Sequence, residues 1–204
     1  MRKITFSAVD KWTKLAKKPL DNERLEQFQE QHFGESKSAH YRFFFYLVAQ
    51  MKPKIALELG VDHGHTVVHM AAANPDTLVL GFDKDMFCAD KRHREYSNCR
   101  IHYINSLDGE DLIQHFVSKH GKVGVVFQDS SHHYEESVKE FEIYSKYLDK
   151  NAIWACDDIT PDFHDPNIDP PNLGMIEYFA GLPGRKKIYD DLHYGTSMGV
   201  ALMS

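Results

Sequence analysis

The sequence predicts a doubly wound α/β domain: a mostly parallel seven-stranded sheet with helices on both faces, preceded by a helical extension. Three observations carry that expectation. Short apolar runs alternate with helical stretches from residue 51 onward, the pattern of a sheet built from βαβ units. The runs are apolar at consecutive positions, as strands covered on both faces must be. Glycine or an acidic residue follows closely on most of them, where open parallel sheets hold their ligands.

Residues 1–50 lack strong strand signals and form the extension, with helices expected over Asn22–Gln31 and Ser38–Gln50. The second carries Phe43, Phe44, Tyr46, Leu47 and Val48 on an apolar face. Ile55–Leu59, bounded by Pro53 and Gly60, is the first strand, and a helix follows over His65–Ala73. Thr77–Phe82 is the second strand, trailed by a weaker, polar helix at Ala89–Tyr96. Arg100–Ile104 is the third, before a helix through Leu112, Ile113, Phe116 and Val117. Val123–Phe127 is the fourth, backed by a long amphipathic helix over Glu135–Leu148, and Ala152–Cys156 is the fifth. Pro161–Gly174 holds four prolines among Asn and Asp and reads as an irregular loop. A short helix at Met175–Phe179 and two closing strands, Lys186–Tyr189 and Ser197–Met203, complete this Rossmann-like domain, residues 51–204.

Composition narrows the functional classes. With 204 residues, 42% hydrophobic and 26% charged, the chain can build one sizeable core without staples. Its three cysteines are odd in number and show no CxxC pair, which disfavours a disulfide framework and fits a reducing, cytoplasmic compartment. No secretory signal or membrane-length apolar run is visible, so no membrane partner is expected. A net charge of −6 repels phosphate backbones, so no nucleic-acid partner is expected either. Lys11, Lys14, Lys17 and Lys18 suit one solvated helix face. The aromatic face of residues 41–48 suits a homodimer as well as packing on the sheet.

The residues after the strands carry the chemistry. Gly60 and Gly64 in Glu58-Leu59-Gly60-Val61-Asp62-His63-Gly64-His65-Thr66 let the backbone turn sharply and approach a ligand, but they do not make the GxGxxG dinucleotide fingerprint. Asp83 stands where a ribose diol could donate to it. Asp129, followed closely by His132, ends the fourth strand, and Asp157-Asp158 ends the fifth. Each has a plainer reading: a tight turn for the glycines, helix caps for Asp83 and Asp129, a solvated pair for Asp157 and Asp158, and packing for His132.

Over residues 38–204 this pattern resembles the class I S-adenosylmethionine (SAM) dependent methyltransferases. Within that class it is similar to the small metal-dependent O-methyltransferases of catechol, caffeoyl-CoA and macrolide-sugar type. The resemblance implies that Gly60, Gly64 and Thr66 line the methionine part of SAM, with Glu58 supporting the loop or the amino group. Asp83 would take the ribose hydroxyls, and Ser106 with Leu107 would flank the adenine. Asp129, Asp157 and Asp158 match the family's magnesium ligands in kind and spacing, and three hard carboxylates suit Mg²⁺. Asp129 would also border the cofactor and, with His132, form the catalytic pair. An imidazole of ordinary pKa near ~6.5 can accept a hydroxyl proton at neutral pH. The implied reaction is methyl transfer to a hydroxyl of a small-molecule acceptor, phenolic or sugar-like. A metal-dependent hydrolase or oxygenase, or a non-catalytic SAM-binding module, stays open beside it.

Overall fold

The computed structural model describes residues 3–27, 39–85, 91–159, 173–193 and 196–203. Seven strands form one sheet: β1 (Ile55–Leu59), β2 (Leu78–Asp83), β3 (Cys99–Tyr103), β4 (Val123–Gln128), β5 (Leu148–Cys156), β6 (Arg185–His193) and β7 (Thr196–Leu202). Their order is β3-β2-β1-β4-β5-β7-β6. The β1–β5 pairings are parallel, and β7 runs antiparallel between β5 and β6. Helices α1 (Phe6–Ala16), α2 (Ala39–Met51), α3 (His65–Ala73), α4 (Glu110–His120), α5 (Tyr134–Tyr144) and α6 (Leu173–Gly181) cover the two faces.

The consecutive apolar residues divide between two cores. On one side, Val79, Val125, Phe127 and Ile153 pack with Val9 and Trp12 of α1, Phe43, Phe44 and Leu47 of α2, and Val67 and Met70 of α3. On the other, Ile55, Leu57, Leu59, Phe82, Val126 and Trp154 meet Ile113 and Phe116 of α4, Tyr144 of α5, and Tyr178 and Phe179 of α6. The extension therefore shares the sheet's own core. Most of the aromatic face of residues 41–48 packs inward: Tyr41, Phe43, Phe44, Leu47 and Val48 are buried, while Phe45 and Tyr46 are partly exposed. Arg42 anchors the extension further, its guanidinium pairing with Glu26, whose Oε1 also accepts the Leu20 N–H at 2.7 Å.

Several boundaries differ from expectation for local reasons. The helix after β4 ends at Tyr144 because Ser145–Tyr147 tighten into a 3₁₀ turn and Leu148 pairs with Val123, which lengthens β5 backward. The polar stretch before β3 is a 3₁₀ turn, Lys91–Glu95, and residues 86–90 of the expected helix lie outside the described residues. So do residues 28–31 of the helix expected over Asn22–Gln31, and the Pro161–Gly174 loop up to residue 172. β6 is longer than its apolar signal because it is an edge strand, with Arg185, Lys186 and Lys187 exposed.

The order of strand addition reverses between the parallel neighbours β1 and β4, so the crevice of this doubly wound sheet opens at their carboxyl ends. Register decides what meets there. Leu59 pairs with Phe82 on one side and Gln128 on the other, and Gln128 pairs with Cys156. The next residues in each chain, Gly60, Asp83, Asp129 and Asp157, are thereby drawn to one edge.

Gly60 has φ +82°, and a Cβ there would lie 2.0 Å from the Asp129 carbonyl oxygen. Gly64 has φ +79°, but a Cβ would meet only ordinary contacts, the nearest 3.7 Å away at Val67. Gly60→Ala is expected to lower the unfolding free energy by about 3 kcal/mol and Gly64→Ala by about 1 kcal/mol, read from urea denaturation. Equal losses would contradict the crowding at Gly60.

His69 is fully buried in α3, where its Nδ1–H donates to the His65 carbonyl at 2.7 Å. Burial depresses its pKa from 6.5 to about 4. The unfolded chain therefore takes up this proton first as the medium acidifies. The stability His69 contributes is full above about pH 6.5 and is lost as pH falls toward about 4. The difference in unfolding free energy between the wild type and His69→Gln should shrink across that interval. A pH-independent difference would refute the assignment.

Candidate active site

The turn after β1 is built by acids reaching from neighbouring elements. Asp83, at the end of β2, accepts the Val61 and Asp62 N–H groups on Oδ2 at 2.7 and 3.0 Å, and the Asp85 N–H on Oδ1 at 2.8 Å. Glu58, 2% exposed on β1, accepts hydrogen bonds from the Thr66 hydroxyl and the Val67 N–H at the start of α3. Burial, reinforced by the Asp129 charge, pushes the Glu58 carboxyl well above the ordinary carboxylate range. Glu58, Gly64 and Thr66 thus shape the turn from behind.

A cleft of about 290 Å³ opens in front of the turn, lined among others by Gly60, Asp62, Asp83, Asn105, Ser106, Asp129 and Ser130. Four sequence-predicted residues border it: Gly60, Asp83, Ser106 and Asp129. Leu107 does not; its N–H is capped by the Asn105 side chain at 3.0 Å, within a short 3₁₀ turn. Asn105, Ser130 and Ser131 were missed as lining residues, although their positions directly after β3 and β4 were the available signal.

Beside the cleft lie Asp129, His132, Asp157 and Asp158. Asp157 and Asp158 are 3% and 7% exposed, and the Asp157 N–H donates to the Gln128 carbonyl at 3.0 Å. Asp62, His132 and Asp158 all hold left-handed backbones, φ +44°, +56° and +55°. Strain of this kind at non-glycine residues collects at functional sites. Burial and the Asp157 charge push Asp129 up to about 7, against the opposing pull of His132.

The ring of His132 stands between two acids, with Nε2 3.4 Å from Asp129 Oδ1 and Nδ1 3.2 Å from Asp158 Oδ2. Burial alone would lower its pKa, but the hydrogen bond to Asp129 and the charges of Asp129, Asp158 and Asp157 raise it to about 9. The ordinary value expected from sequence is therefore corrected: in this arrangement the imidazole keeps its proton at neutral pH and serves as the carboxylates' counter-ion. The ring separates the two acids, and among the described residues no group of three or more His, Cys, Asp or Glu is placed to hold a metal ion. The donor chemistry, buried like charges crowded at one sheet edge, nonetheless suits a hard cation.

Tyr41 of α2 lies within electrostatic reach of these acids, a placement that sequence reading did not make. Its ring stacks on His65 and His69 at centroid distances of 5.0 and 5.6 Å. Burial, together with the charges of Asp129, Glu58, Asp157 and Asp62, holds the phenol protonated. It faces the acids as a neutral group.

A family model described as a methyltransferase domain matches residues 57–159, from β1 through the acids after β5. Solved structures share the fold at low identity. The O-methyltransferase TomG from Streptomyces achromogenes, involved in tomaymycin synthesis and crystallised with SAM, is 15% identical; the match covers 100% of this chain and 93% of that one, with a TM-score of 0.64. An O-methyltransferase from Bacillus cereus in complex with S-adenosylhomocysteine (SAH) is 15% identical over 95% of this chain and 99% of that one, TM-score 0.65. An SAH-bound methyltransferase from Podospora anserina is 14% identical over 100% and 90%, TM-score 0.61. No curated protein matches the sequence significantly.

Proposed function

We propose a specific reaction for this chain, which belongs to the methyltransferase-domain family: SAM-dependent transfer of a methyl group to a hydroxyl oxygen of a small molecule, phenolic or sugar-like. The observation that carries the reading is the cleft at the β1/β4 reversal, with Gly60 as its floor and Asp83 on its wall. It runs directly into the Asp129–His132–Asp158 cluster. SAM bound there would lay its ribose against Asp83 and its adenine toward Ser106, leaving the sulfonium near the acids. The same cofactor class in the similar solved structures supports this.

In the proposed reaction the acceptor oxygen attacks the methyl carbon in line with the carbon–sulfur bond. The bond's electron pair returns to sulfur and SAH leaves. The protein's work is positioning and charge placement. The glycine turn fixes the cofactor, and the acids draw the cationic sulfonium and the acceptor together. His132 would take the hydroxyl proton from its place between Asp129 and Asp158. Mg²⁺ belongs to the proposal: Asp129, Asp157 and Asp158 are the residues that would hold it, and its chemistry there would be to make the acceptor hydroxyl more acidic. A net charge of −6 favours a small acceptor over nucleic acid. Among the described residues no helix is long and apolar enough to cross a membrane, and a cytoplasmic location is proposed with the rest.

SAH at ~100 times its dissociation constant should add about 2.7 kcal/mol to stability, seen as a thermal shift, while NAD should add none. No shift with SAH would remove the cofactor from the proposal. With a panel of catechols and glycosides as acceptors, EDTA should abolish transfer and Mg²⁺ restore it, and His132→Ala should cut turnover by ~10² with SAH affinity kept. Activity indifferent to EDTA would exclude the cation, and an unchanged rate in the variant would exclude His132 as proton acceptor.

A further inference from the structure

Behind the cleft, and outside the machinery described so far, lies a buried carboxylate. Glu140 of α5 is 1% exposed. The Ser106 hydroxyl donates to its Oε1 in a short hydrogen bond, and its Oε2 accepts from Ser130 Oγ at 2.8 Å and Gln128 Nε2 at 2.6 Å. Ser106 follows β3, Gln128 ends β4 and Ser130 lies just beyond it, so one side chain ties together loops from two strands. Gln128 is itself pinned: its Oε1 accepts from Trp154 Nε1 at 3.0 Å and Tyr178 OH at 2.6 Å, and its Nε2 also donates to the Ser137 carbonyl at 3.2 Å. Tyr144 OH donates to the Ser106 carbonyl, which fixes the backbone at the same place.

Both tethered serines line the cleft. A hydroxyl has one proton, and here each proton is committed to Glu140. What remains toward the cleft is oxygen lone pairs, so Ser106 and Ser130 face a ligand as acceptors. A freely turning serine would accept or donate as the ligand required. One whose proton is held in a buried bond discriminates, because a ligand presenting an acceptor meets lone pair against lone pair.

We propose that Glu140 is a positioning residue that sets the hydrogen-bond polarity of the cleft: by holding the Ser106 and Ser130 protons it makes the base end of the site select a donor-bearing purine. This rests on the proposed adenosine placement and goes beyond it by assigning the base selectivity to a residue that does not touch the ligand. The ligand class is a purine nucleoside thioether with an exocyclic amino group, which donates. Its oxo counterpart presents an acceptor there and is disfavoured.

The test compares binding of SAH and S-inosylhomocysteine, by calorimetry, to the wild type, Glu140→Ala, Ser106→Ala and Ser106→Thr. The wild type should prefer SAH by tenfold or more, about the effect of one hydrogen bond. Ser106→Ala should erase most of that preference by weakening SAH, and Glu140→Ala should erase it by strengthening S-inosylhomocysteine, because the freed hydroxyls can then donate. Ser106→Thr, which keeps the hydroxyl, should restore it. A merely structural Glu140 would weaken both ligands alike, and that parallel loss would overturn the proposal, as would an undiminished preference in both alanine variants. If Glu140→Ala does not fold, the two Ser106 variants decide alone: a preference unaltered by Ser106→Ala overturns the proposal. Failure of the wild type to bind either compound is the distinct outcome that would sink the cofactor reading itself.

Discussion

The close passage of the β1 turn across the end of β4 constrains everything at the carboxyl edge of the sheet. With Gly60 lying on the Asp129 carbonyl, no side chain can intervene between the two loops. That closeness aligns the cofactor-side turn with the acids of β4 and β5, and it puts the Glu58 and Asp129 carboxyls within electrostatic reach of each other. A wider gap would relax the repulsion but would part the β1 turn from the acids that end β4 and β5.

The molecule manages this crowding of negative charge by three different means. Asp83 is held by a fixed array of backbone N–H donors from the turn and from Asp85. Glu58, deep under the turn, is driven toward its neutral form by burial and by Asp129. Asp129 and Asp158 flank the ring of His132 and raise its pKa. Of the three carboxyl arrangements, this last one includes a residue, Asp129, that lines the cleft beside Asp83.

Much of this was legible beforehand, because parallel strands buried on both faces advertise themselves as unbroken apolar runs, and their ends locate the crevice. Gly60, Asp83, Ser106 and Asp129 were found that way, and they border the cleft. The failures have physical causes. Leu107 lies in a 3₁₀ turn capped by Asn105 and is not among the residues that line the cleft. The raised pKa of His132 depends on two acids brought to it from different strands, a proximity that linear spacing cannot express. Tyr41 comes within reach of the acids only because α2 packs against α3, and most of the aromatic face that suggested pairing of subunits is taken up by packing inward. Glu140 offered no signal at all in a helix that reads as amphipathic and acidic.

The lysine-rich margin of the sheet has a separate consequence for solution behaviour. β6 presents Arg185, Lys186 and Lys187 along the last strand, and Lys187 also reaches across to Asp10 of α1 at 2.5 Å. Cationic side chains on an outermost strand repel an identical copy that would extend the ladder, so that margin is guarded against fibril-like growth. A ladder of copies continued outward from β6 is thereby disfavoured, which leaves β3 as the sheet's other edge.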